Sequence, residues 1–552
     1  MKDTSSDRLQ AIDIQSEGLQ STIERAMPSK ELERVDAYTP GRRILSDLKG
    51  QWEADEVLRD KLCLTDDGIL KIASGHMGDV DVLGYIDRLA RNGVTVTEVE
   101  AQYSEIKALY QHAFDKPKVE HEAKRTTERQ EEVLRLIREA KEYMASDVHI
   151  VTDKERATVR YRIHGLLADQ FSMDRERGED LLNSIFNTMC DEAGGDRIPT
   201  SNQNARFKEE YAKRCGLHVA RVATGPTDDG THMVIRLYTD AGDEIDSLHD
   251  LGYLPSQVAL LDTMMRRDSG IILLSGTTGA GKTTTLANML KLELKRKQGK
   301  ICIITAEDPP EQPIRVTLKV DGVLRRYQAQ QKPIISASPA DEDVMRAWVQ
   351  AVEHMLRSDP DLMMIGELRG IAPIKAAIRG ALTGHQTLSS IHAKDGPTII
   401  ERLIDSGVDV ATATDQGLLI GLVNQSLVSL VCPHCSVPFE KAAPELPGDL
   451  RSRIEVHCTP DTVRVKGPGC EHCYFGVIGR TACAEVIMPT AGFMRAYREK
   501  GKHAARKHWL ENMNGITKCQ HLIHQINTGR VCPQLAEEAA VPLDHDVLEM
   551  AE

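Results

Sequence analysis

The sequence predicts an α/β domain built on a parallel sheet, with a smaller α+β domain before it. A glycine-rich turn at Gly276–Thr284 separates a buried apolar run, Ile271–Leu274, from a segment with helical apolar spacing. Further short apolar runs follow along the chain, as buried parallel strands require. Upstream, Val159, Tyr161 and Ile163 alternate with polar residues, which is the pattern of a half-buried strand.

Length and composition narrow the classes of protein. A chain of 552 residues is expected to form about two to four domains. The net charge of −14 and the pI of about 5.8 argue against bulk nucleic-acid binding. No apolar run approaches the roughly 18–20 residues of a membrane span, and the first residues lack the core of a signal peptide. Twelve cysteines are too few for a disulfide framework, so we expect a cytoplasmic protein.

The first 120 residues carry no recognisable chemistry. Residues 1 to about 40 are polar and are predicted to form a loose tail. Between Ile44 and Phe114, amphipathic patterns such as Val82–Leu89 predict helices, so residues 1–120 are expected to be a tail and a helical docking region. The charged run Asp115–Glu132 is either a linker or the solvated start of a helix.

Residues 121–242 are predicted to form the α+β domain. After a helix face that includes Val133 and Ile137, strand patterns recur at 158–167, 218–223 and 231–237. The last two are separated by a turn signal at Gly225–Gly230. The acidic stretch Asp240–Ser247 is predicted to be a hinge before the larger domain, residues 250–552.

The glycine-rich turn fits G-x-x-x-x-G-K-[ST], the phosphate-binding P-loop. Its glycines permit backbone conformations in which consecutive N–H groups face phosphate oxygens, and the following helix adds its positive end. Lys282 supplies a charge to the outer phosphates, and the Thr283 hydroxyl can ligate Mg²⁺. The alternative, a glycine turn with a surface lysine, does not account for the matched context. The predicted nucleotide contacts are Gly276, Thr277, Thr278, Gly279, Ala280, Gly281, Lys282, Thr283 and Thr284.

Two acids follow later apolar runs. Glu307 comes after Lys300–Thr305, and Glu367 comes after a run that ends at Ile365. Either acid alone could be a helix N-cap or a surface acid. Two acids at the ends of strands downstream of a P-loop instead favour a Walker B-like site for Mg²⁺ and water. A fourth run, Gln386–Ile391, is flanked by His385 and His392.

Four cysteines have the spacing of a metal site. Cys432 and Cys435 form one C-x-x-C pair, and Cys470 and Cys473 form a second. Four thiolates suit tetrahedral Zn²⁺, and a set with no open position predicts a structural metal. Single-pair redox chemistry would need a thioredoxin-like context, which the sequence lacks. His434, His472 and Cys458 lie nearby and leave the ligand count open.

Together these motifs resemble the ATPases of type II secretion and type IV pilus assembly, over about residues 130–535. The Walker A box, an Asp box, a Walker B box and a His box occur in that order, at Gly276–Thr284, Thr305–Glu311, Leu356–Arg369 and Thr383–His392. Ala145–Ile150 and Val159–Gly165 are similar to the family's PAS-like N-terminal domain. The ordered set is specific to the family, whereas any one box is not.

The resemblance implies a fold: a RecA-like P-loop ATPase domain preceded by a PAS-like α+β domain, with a tetracysteine zinc-binding insertion at 428–482 and an N-terminal helical region. It also implies roles. Glu307 resembles the acid that orients or deprotonates the attacking water, and Glu367 the one that supports Mg²⁺. Arg221 and Arg236 match arginines that approach the phosphates across the cleft between the domains. His385 and His392 match γ-phosphate sensors.

The family resemblance further implies an ATP-hydrolysing motor that works as a ring, usually hexameric, on an inner-membrane platform protein, with ATP, Mg²⁺ and Zn²⁺ bound. The tetracysteine insertion is typical of assembly and secretion motors, so either a type IV pilus, of the IVb group, or a type II pseudopilus is the expected product. Location is expected to be cytoplasmic and peripheral to the membrane through protein partners, without direct nucleic-acid binding. A DNA-handling motor of conjugation and a nucleotide-binding scaffold without hydrolysis remain as alternatives.

Overall fold

The computed structural model describes residues 44–47, 51–191, 195–239, 246–334 and 341–547. The chain divides into two units, Met1–Lys124 and Arg125–Glu552. The predicted tail at residues 1–40 lies outside the described residues, and so does most of the predicted hinge at Asp240–Ser247. Among the described residues, no helix combines the length and the hydropathy that a membrane crossing requires.

The first unit contains a small sheet as well as helices. Its elements are α1 (Glu56–Arg59), β1 (Leu62–Leu64), β2 (Ile69–Ala73), α2 (Val80–Arg91), β3 (Thr97–Ala101) and the start of α3 (Tyr103–Glu142). Strand β2 pairs antiparallel with β1 and parallel with β3. Helix α2 buries Val82, Tyr85 and Leu89. The sequence predicted this helix but missed the strands, because three to five residues are too few to establish an alternation.

The second unit begins with an antiparallel sheet. Its elements are β4 (Ala145–Thr152), β5 (Arg156–Ile163), β6 (Leu166–Asp174), α4 (Arg175–Asn183), β7 (Cys190–Asp191), β8 (Gln203–Phe207), α5 (Glu209–Arg214), β9 (Leu217–Pro226) and β10 (Thr231–Thr239). The strand order is β6-β5-β4-β10-β9-β8-β7. Alternate residues such as Val148, Tyr161 and Ile235 are buried with residues 133–140 of α3. The opposite face carries the polar residues.

A parallel sheet forms the centre of the rest. Its part of the chain runs α6 (Pro255–Met265), β11 (Gly270–Ser275), α7 (Lys282–Arg296), β12 (Ile303–Glu307), β13 (Arg315–Val320), β14 (Val323–Gln328), β15 (Gln330–Pro333), α8 (Asp341–Leu356), β16 (Leu362–Ile365), α9 (Ile371–Leu382), β17 (Gln386–Ile391), α10 (Thr398–Asp405), α11 (Val410–Ala413) and β18 (Leu419–Val431). The order is β15-β12-β16-β17-β11-β18, followed by one antiparallel edge strand.

This strand order confirms the predicted α/β class and shows at which edge of the sheet the predicted site residues lie. Strand β17 lies between β11 and β16, so the strand before the P-loop and the strand before Glu367 have one common neighbour. Core side chains on both faces of the sheet are apolar, which is why these strands read as continuous apolar runs. The five pairings among these six strands are all parallel, so the carboxyl ends of the strands meet at one edge of the sheet.

The remaining elements follow β18. They are β19 (Val437–Pro438), α12 (Phe439–Ala442), α13 (Gly448–His457), β20 (Arg464–Val465), β21 (Val477–Ile487), α14 (Ala491–Asn512), α15 (Lys518–Asn527) and α16 (Pro533–Ala539). The C-terminal segment from Pro533 to residue 547 is acidic, yet it is packed against the rest of this unit. Ala536 and Leu543 are buried in one cluster with Val428 and Ile454.

Candidate nucleotide site and cysteine cluster

The P-loop connects the fully buried strand β11 to helix α7. Gly276 has a φ of +147°, and Gly279 and Gly281 have φ values near +80°. A Cβ atom on Gly276 would lie 2.3 Å from the backbone oxygen of Gln425, so only glycine fits there. The loop therefore has the left-handed glycines that an inward-facing row of N–H groups needs.

Gln425, which the sequence reasoning missed, supports this loop from β18. Its Nε2 donates to the backbone oxygen of Ala280 at 2.6 Å, and its Oε1 accepts from the Tyr253 hydroxyl. Both side chains are buried. The signal that could have identified Gln425 is a polar residue in the middle of a long apolar run, since a buried amide needs partners.

Lys282 lies over the loop that precedes it. Its Nζ donates to the carbonyl oxygens of Gly276, at 3.0 Å, and Thr277, at 3.1 Å. Burial lowers the pKa of Lys282, while the charges of Glu367 and Glu311 act in the opposite direction. An ammonium held at the mouth of the loop is in position to meet an anion there. Thr283 and Thr284 follow it in the first turn of α7.

Glu307 ends β12 and is buried, with 4% of its surface exposed. Its Oε1 accepts hydrogen bonds from the Thr305 hydroxyl at 2.6 Å and from Gln331 Nε2 at 2.9 Å. Burial raises the pKa of Glu307, and the hydrogen bonds from Gln331 and Thr305 oppose that rise. Such a carboxylate can accept a proton more readily than an exposed glutamate.

Glu367 lies at the same edge, just after β16. Its Oε1 lies 3.1 Å from Nε2 of His392, and its Oε2 accepts from the Arg369 guanidinium at 2.9 Å. These residues line an open cleft of about 390 Å³ together with Arg402. The parallel register places Ser275 opposite Ile391, so His392 follows its strand beside the P-loop.

The structure does not bring His385 to this site. Residue His385 precedes β17, and its Nδ1 contacts the Thr383 hydroxyl and the Gly380 carbonyl. Strand β17 has six residues, so His385 and His392 lie about 20 Å apart along it. The expectation that both histidines sense the same phosphate is therefore not supported for His385. The sequence order already shows that His385 precedes the strand and His392 follows it; the family resemblance grouped the two histidines without regard to the length of the strand between them.

Arg221 and Arg236 lie on the polar face of the antiparallel sheet, directly opposite each other in the register of β9 and β10. Arg221 reaches Asp308, the residue after Glu307, at 3.9 Å. Arg236 instead pairs with the buried carboxylate of Asp147, at 2.8 Å. Arg221 thus extends toward the acidic edge of the parallel sheet, while an ion pair within its own sheet holds Arg236.

The four cysteines converge although they come from two separate loops. Their sulfur atoms all lie within 4.8 Å of one another, and the pairs Cys432–Cys470 and Cys435–Cys473 are each 3.7 Å apart. Metal–sulfur bonds of about 2.3 Å in a tetrahedron give sulfur–sulfur edges of about 3.8 Å, so the set fits a tetrahedral metal ion. Cys458 is outside this group.

Backbone donors and neighbouring thiols act in opposite directions on the pKa values of the cluster. At Cys470 a hydrogen bond from the backbone of His472 lowers the pKa, but burial and the other three thiols raise it to about 12. The amide of Cys470 donates to the Cys473 sulfur at 3.2 Å. Although burial acts against it, hydrogen bonds from the backbone of Cys435 and His434 lower the pKa of Cys432 to about 7. Amide donors of this kind favour thiolates, which are the form that binds metal.

The second cysteine pair also contacts the antiparallel sheet. Tyr474 follows Cys473, and its hydroxyl accepts a hydrogen bond from Gln170 of β6 at 2.9 Å. Its ring lies 6.3 Å from that of Tyr143. Part of the Tyr474 side chain packs against the core of the antiparallel sheet. The cysteine cluster is thereby joined to the domain that carries Arg221.

The chain is similar in sequence to proteins of known families. The family model described as "Type II/IV secretion system protein" matches residues 122–532. The "Type II secretion system ATPase E" of Vibrio cholerae is 28% identical over 367 residues, which are 66% of this chain and 66% of that relative. The "Type IV pilus assembly ATPase TfpB" of Acinetobacter baylyi is 32% identical over 61% of this chain and 53% of its own length. The chain thus aligns with two thirds or less of these relatives.

Solved structures resemble the chain more distantly. The Legionella pneumophila ATPase DotB has a TM-score of 0.49 and 17% identity, covering 72% of this chain and 92% of its own. The pilus retraction motor PilT with bound ADP has a TM-score of 0.46 and 20% identity, covering 74% and 96% respectively.

Proposed function

The chain belongs to the Type II/IV secretion system protein family, and we propose that it is an ATP-hydrolysing motor. Its work is the assembly of a type IV pilus or of a type II secretion pseudopilus at the bacterial inner membrane. The names of relatives from both systems support this pair of products.

The proposal rests mainly on where three parts of the site lie in the parallel sheet. The P-loop, Glu307 and Glu367 follow three different strands and meet at the carboxyl edge of one sheet. Phosphoryl transfer needs positioning and charge stabilisation more than covalent chemistry. A looped backbone for the phosphates, an ammonium and two acids at one edge supply both.

Each residue has a defined task in this reaction. Lys282 leaves the loop carbonyls and pairs with the outer phosphate oxygens. Glu307 accepts a proton from the attacking water and orients it in line with the phosphorus. Arg221 approaches the phosphates from the antiparallel sheet, and Arg236 joins it when released from Asp147.

A magnesium ion fits the same edge. The Thr283 hydroxyl would hold it, with Glu367 supporting its water shell, and His392 would report phosphate contact through Glu367. When bound, Mg²⁺ neutralises charge on the phosphate oxygens during transfer.

The cysteine cluster would hold Zn²⁺ in a structural role. Four thiolates at tetrahedral spacing leave no position for water or substrate. The ion would therefore fix the loops at 432–435 and 470–473, and with them the position of Tyr474, rather than take part in hydrolysis.

The family resemblance supports a proposal for the assembly around the motor. The motor would form a homo-oligomeric ring, which the family resemblance implies to be hexameric. This ring would act on an inner-membrane platform protein from the cytoplasmic side. Closure of the antiparallel sheet against the parallel sheet around ATP would turn hydrolysis into movement. The contact of Arg221 with Asp308 supports this direction of closure.

A steady-state ATPase assay tests the proposal. The parent should hydrolyse ATP with Mg²⁺, and Lys282→Ala should lose at least about 100-fold in kcat/KM, because one charge on the outer phosphates disappears. Lys297→Ala, an exposed lysine at the end of the same helix, is the matched control and should keep the parent rate.

Two results would overturn the proposal. An inactive parent that still binds ATP would favour the nucleotide-binding scaffold. Strong stimulation by DNA would favour the DNA-handling motor, which the acidic composition disfavours.

A further inference from the structure

The carboxylate of Glu307 is held by two side-chain donors on one oxygen. Thr305 is on the same strand, and Gln331 is on the neighbouring strand β15, which pairs parallel with β12. The χ3 torsion of a glutamate is broad, so without donors the carboxylate plane would be free to turn. The two donors fix the plane at Oε1.

The amide of Gln331 can adopt only one orientation. Its Oε1 accepts from the backbone N–H of Ile314 at 2.9 Å, while its Nε2 donates to the Gln312 carbonyl at 2.9 Å as well as to Glu307. A turned amide would place its oxygen against two acceptors and its NH₂ group against a donor. The N–H groups must therefore point at the carboxylate.

The same residues reach the P-loop helix. The side-chain Nε2 of Gln312 donates to the Thr284 hydroxyl in the first turn of α7, at 3.1 Å. A continuous chain of hydrogen bonds thus runs from Thr284 through Gln312 and Gln331 to Glu307.

A hairpin brings the two glutamines together. Strands β13 and β14 pair from Arg315 opposite Gln328 to Val320 opposite Val323. Asp321 and Gly322, with φ values of +52° and +82°, form the two-residue turn. Positive φ at both positions is the requirement of the tight hairpin turn that matches strand twist. The hairpin therefore closes at its base beside Gln312 and Gln331.

We propose that Gln331 is a positioning residue for the hydrolysis reaction, holding the Glu307 carboxylate toward the attacking water and tying it through Gln312 to the P-loop helix. The inference rests on the proposed function, because it concerns the step assigned to Glu307. It goes beyond that function in assigning a task to a residue outside the four sequence boxes. A small misplacement of a catalytic group costs about 100-fold in rate, so a fixed carboxylate plane matters.

Gln331→Leu tests this by removing the donor while keeping a similar volume. The expected result is a fall in kcat of about tenfold or more, with the dissociation constant of an ATP analogue within about twofold of the parent. Gln330→Leu is the matched control, since this neighbour is exposed and contacts the Cys302 sulfur rather than Glu307. It should leave both values unchanged.

A second pair of variants tests whether the donors to the Glu307 carboxylate set kcat, and it can be measured even if Gln331→Leu does not fold. Thr305→Val removes the other donor with little change in shape, and Thr305→Ser keeps the hydroxyl. The proposal expects kcat to fall in Thr305→Val and to return in Thr305→Ser, with nucleotide affinity unchanged in both.

The outcomes separate this inference from the proposed function. If Glu307→Gln loses activity while Gln331→Leu keeps the parent kcat, only the positioning role is overturned. If Gln331→Leu weakens binding of the ATP analogue and leaves kcat unchanged, the residue supports the P-loop and not Glu307, which also overturns the role. If Glu307→Gln is as active as the parent, the assignment of Glu307 fails, and the inference fails with it.

Discussion

Gln425 supports the P-loop through a hydrogen bond to Ala280, so replacing it should lower both stability and nucleotide affinity. Gln425→Met keeps the side-chain volume but removes the donor to Ala280 and the acceptor for the Tyr253 hydroxyl. Each buried polar group left without a partner costs about 1–3 kcal/mol. We therefore expect the free energy of unfolding to fall by about 2–6 kcal/mol, the sum for the two groups. The affinity for an ATP analogue should fall with it, because the P-loop loses its hydrogen bond to β18.

A double-mutant cycle distinguishes lost hydrogen bonds from a packing defect. Tyr253→Phe removes the hydroxyl whose Gln425 acceptor is lost in Gln425→Met, so the two losses should fall short of additivity by about 1 kcal/mol. Urea unfolding followed by circular dichroism measures the stabilities, and a fluorescent ATP analogue reports the affinity. A loss below about 0.5 kcal/mol in Gln425→Met, or full additivity in the double variant, would refute the reasoning.

Three further predictions concern the rest of the site. Because burial raises the pKa of Glu307 and hydrolysis needs its ionised form, kcat/KM should fall as the pH drops through that raised pKa; a profile flat down to about pH 4 would contradict this. Cys470→Ser should lose bound zinc, measured by atomic absorption, and lower Tm by about 5 °C or more, whereas Cys458→Ser, outside the cluster, should keep its metal. Tyr474→Ala should speed amide hydrogen exchange in β6, because the strand loses the contact between Gln170 and Tyr474. Phe475→Ala, at the exposed neighbouring residue, should not. Equal exchange rates in the two variants would show that this contact does not stabilise β6.

Some of the site was accessible from the sequence because local chemistry dictates it. The P-loop glycines have φ values that other residues rarely adopt, and the strand and helix on either side have characteristic periods. The cysteine pairs carry metal-ligand spacing in four residues each. Glu307 and Glu367 were identified because each directly follows an apolar run.

Other parts depend on neighbours that are remote along the chain. Gln331 comes 24 residues after Glu307, and the hairpin that brings it back has no chemical signature of its own. Gln425 supports the P-loop from a strand 145 residues away from Ala280. His385 and His392 flank the same strand, β17, but only His392, at its carboxyl end, lies beside Glu367.

A few adjacent residues specify which groups can bind phosphate or metal, since backbone conformation, charge and ligand type are local properties. The tertiary structure alone decided which of those groups meet, because sheet order and parallel register set the edge where each strand ends. It also decided their electrostatic state: Glu307 is buried beside two donors, and Arg236 is paired with Asp147, through contacts between strands that no local pattern specifies.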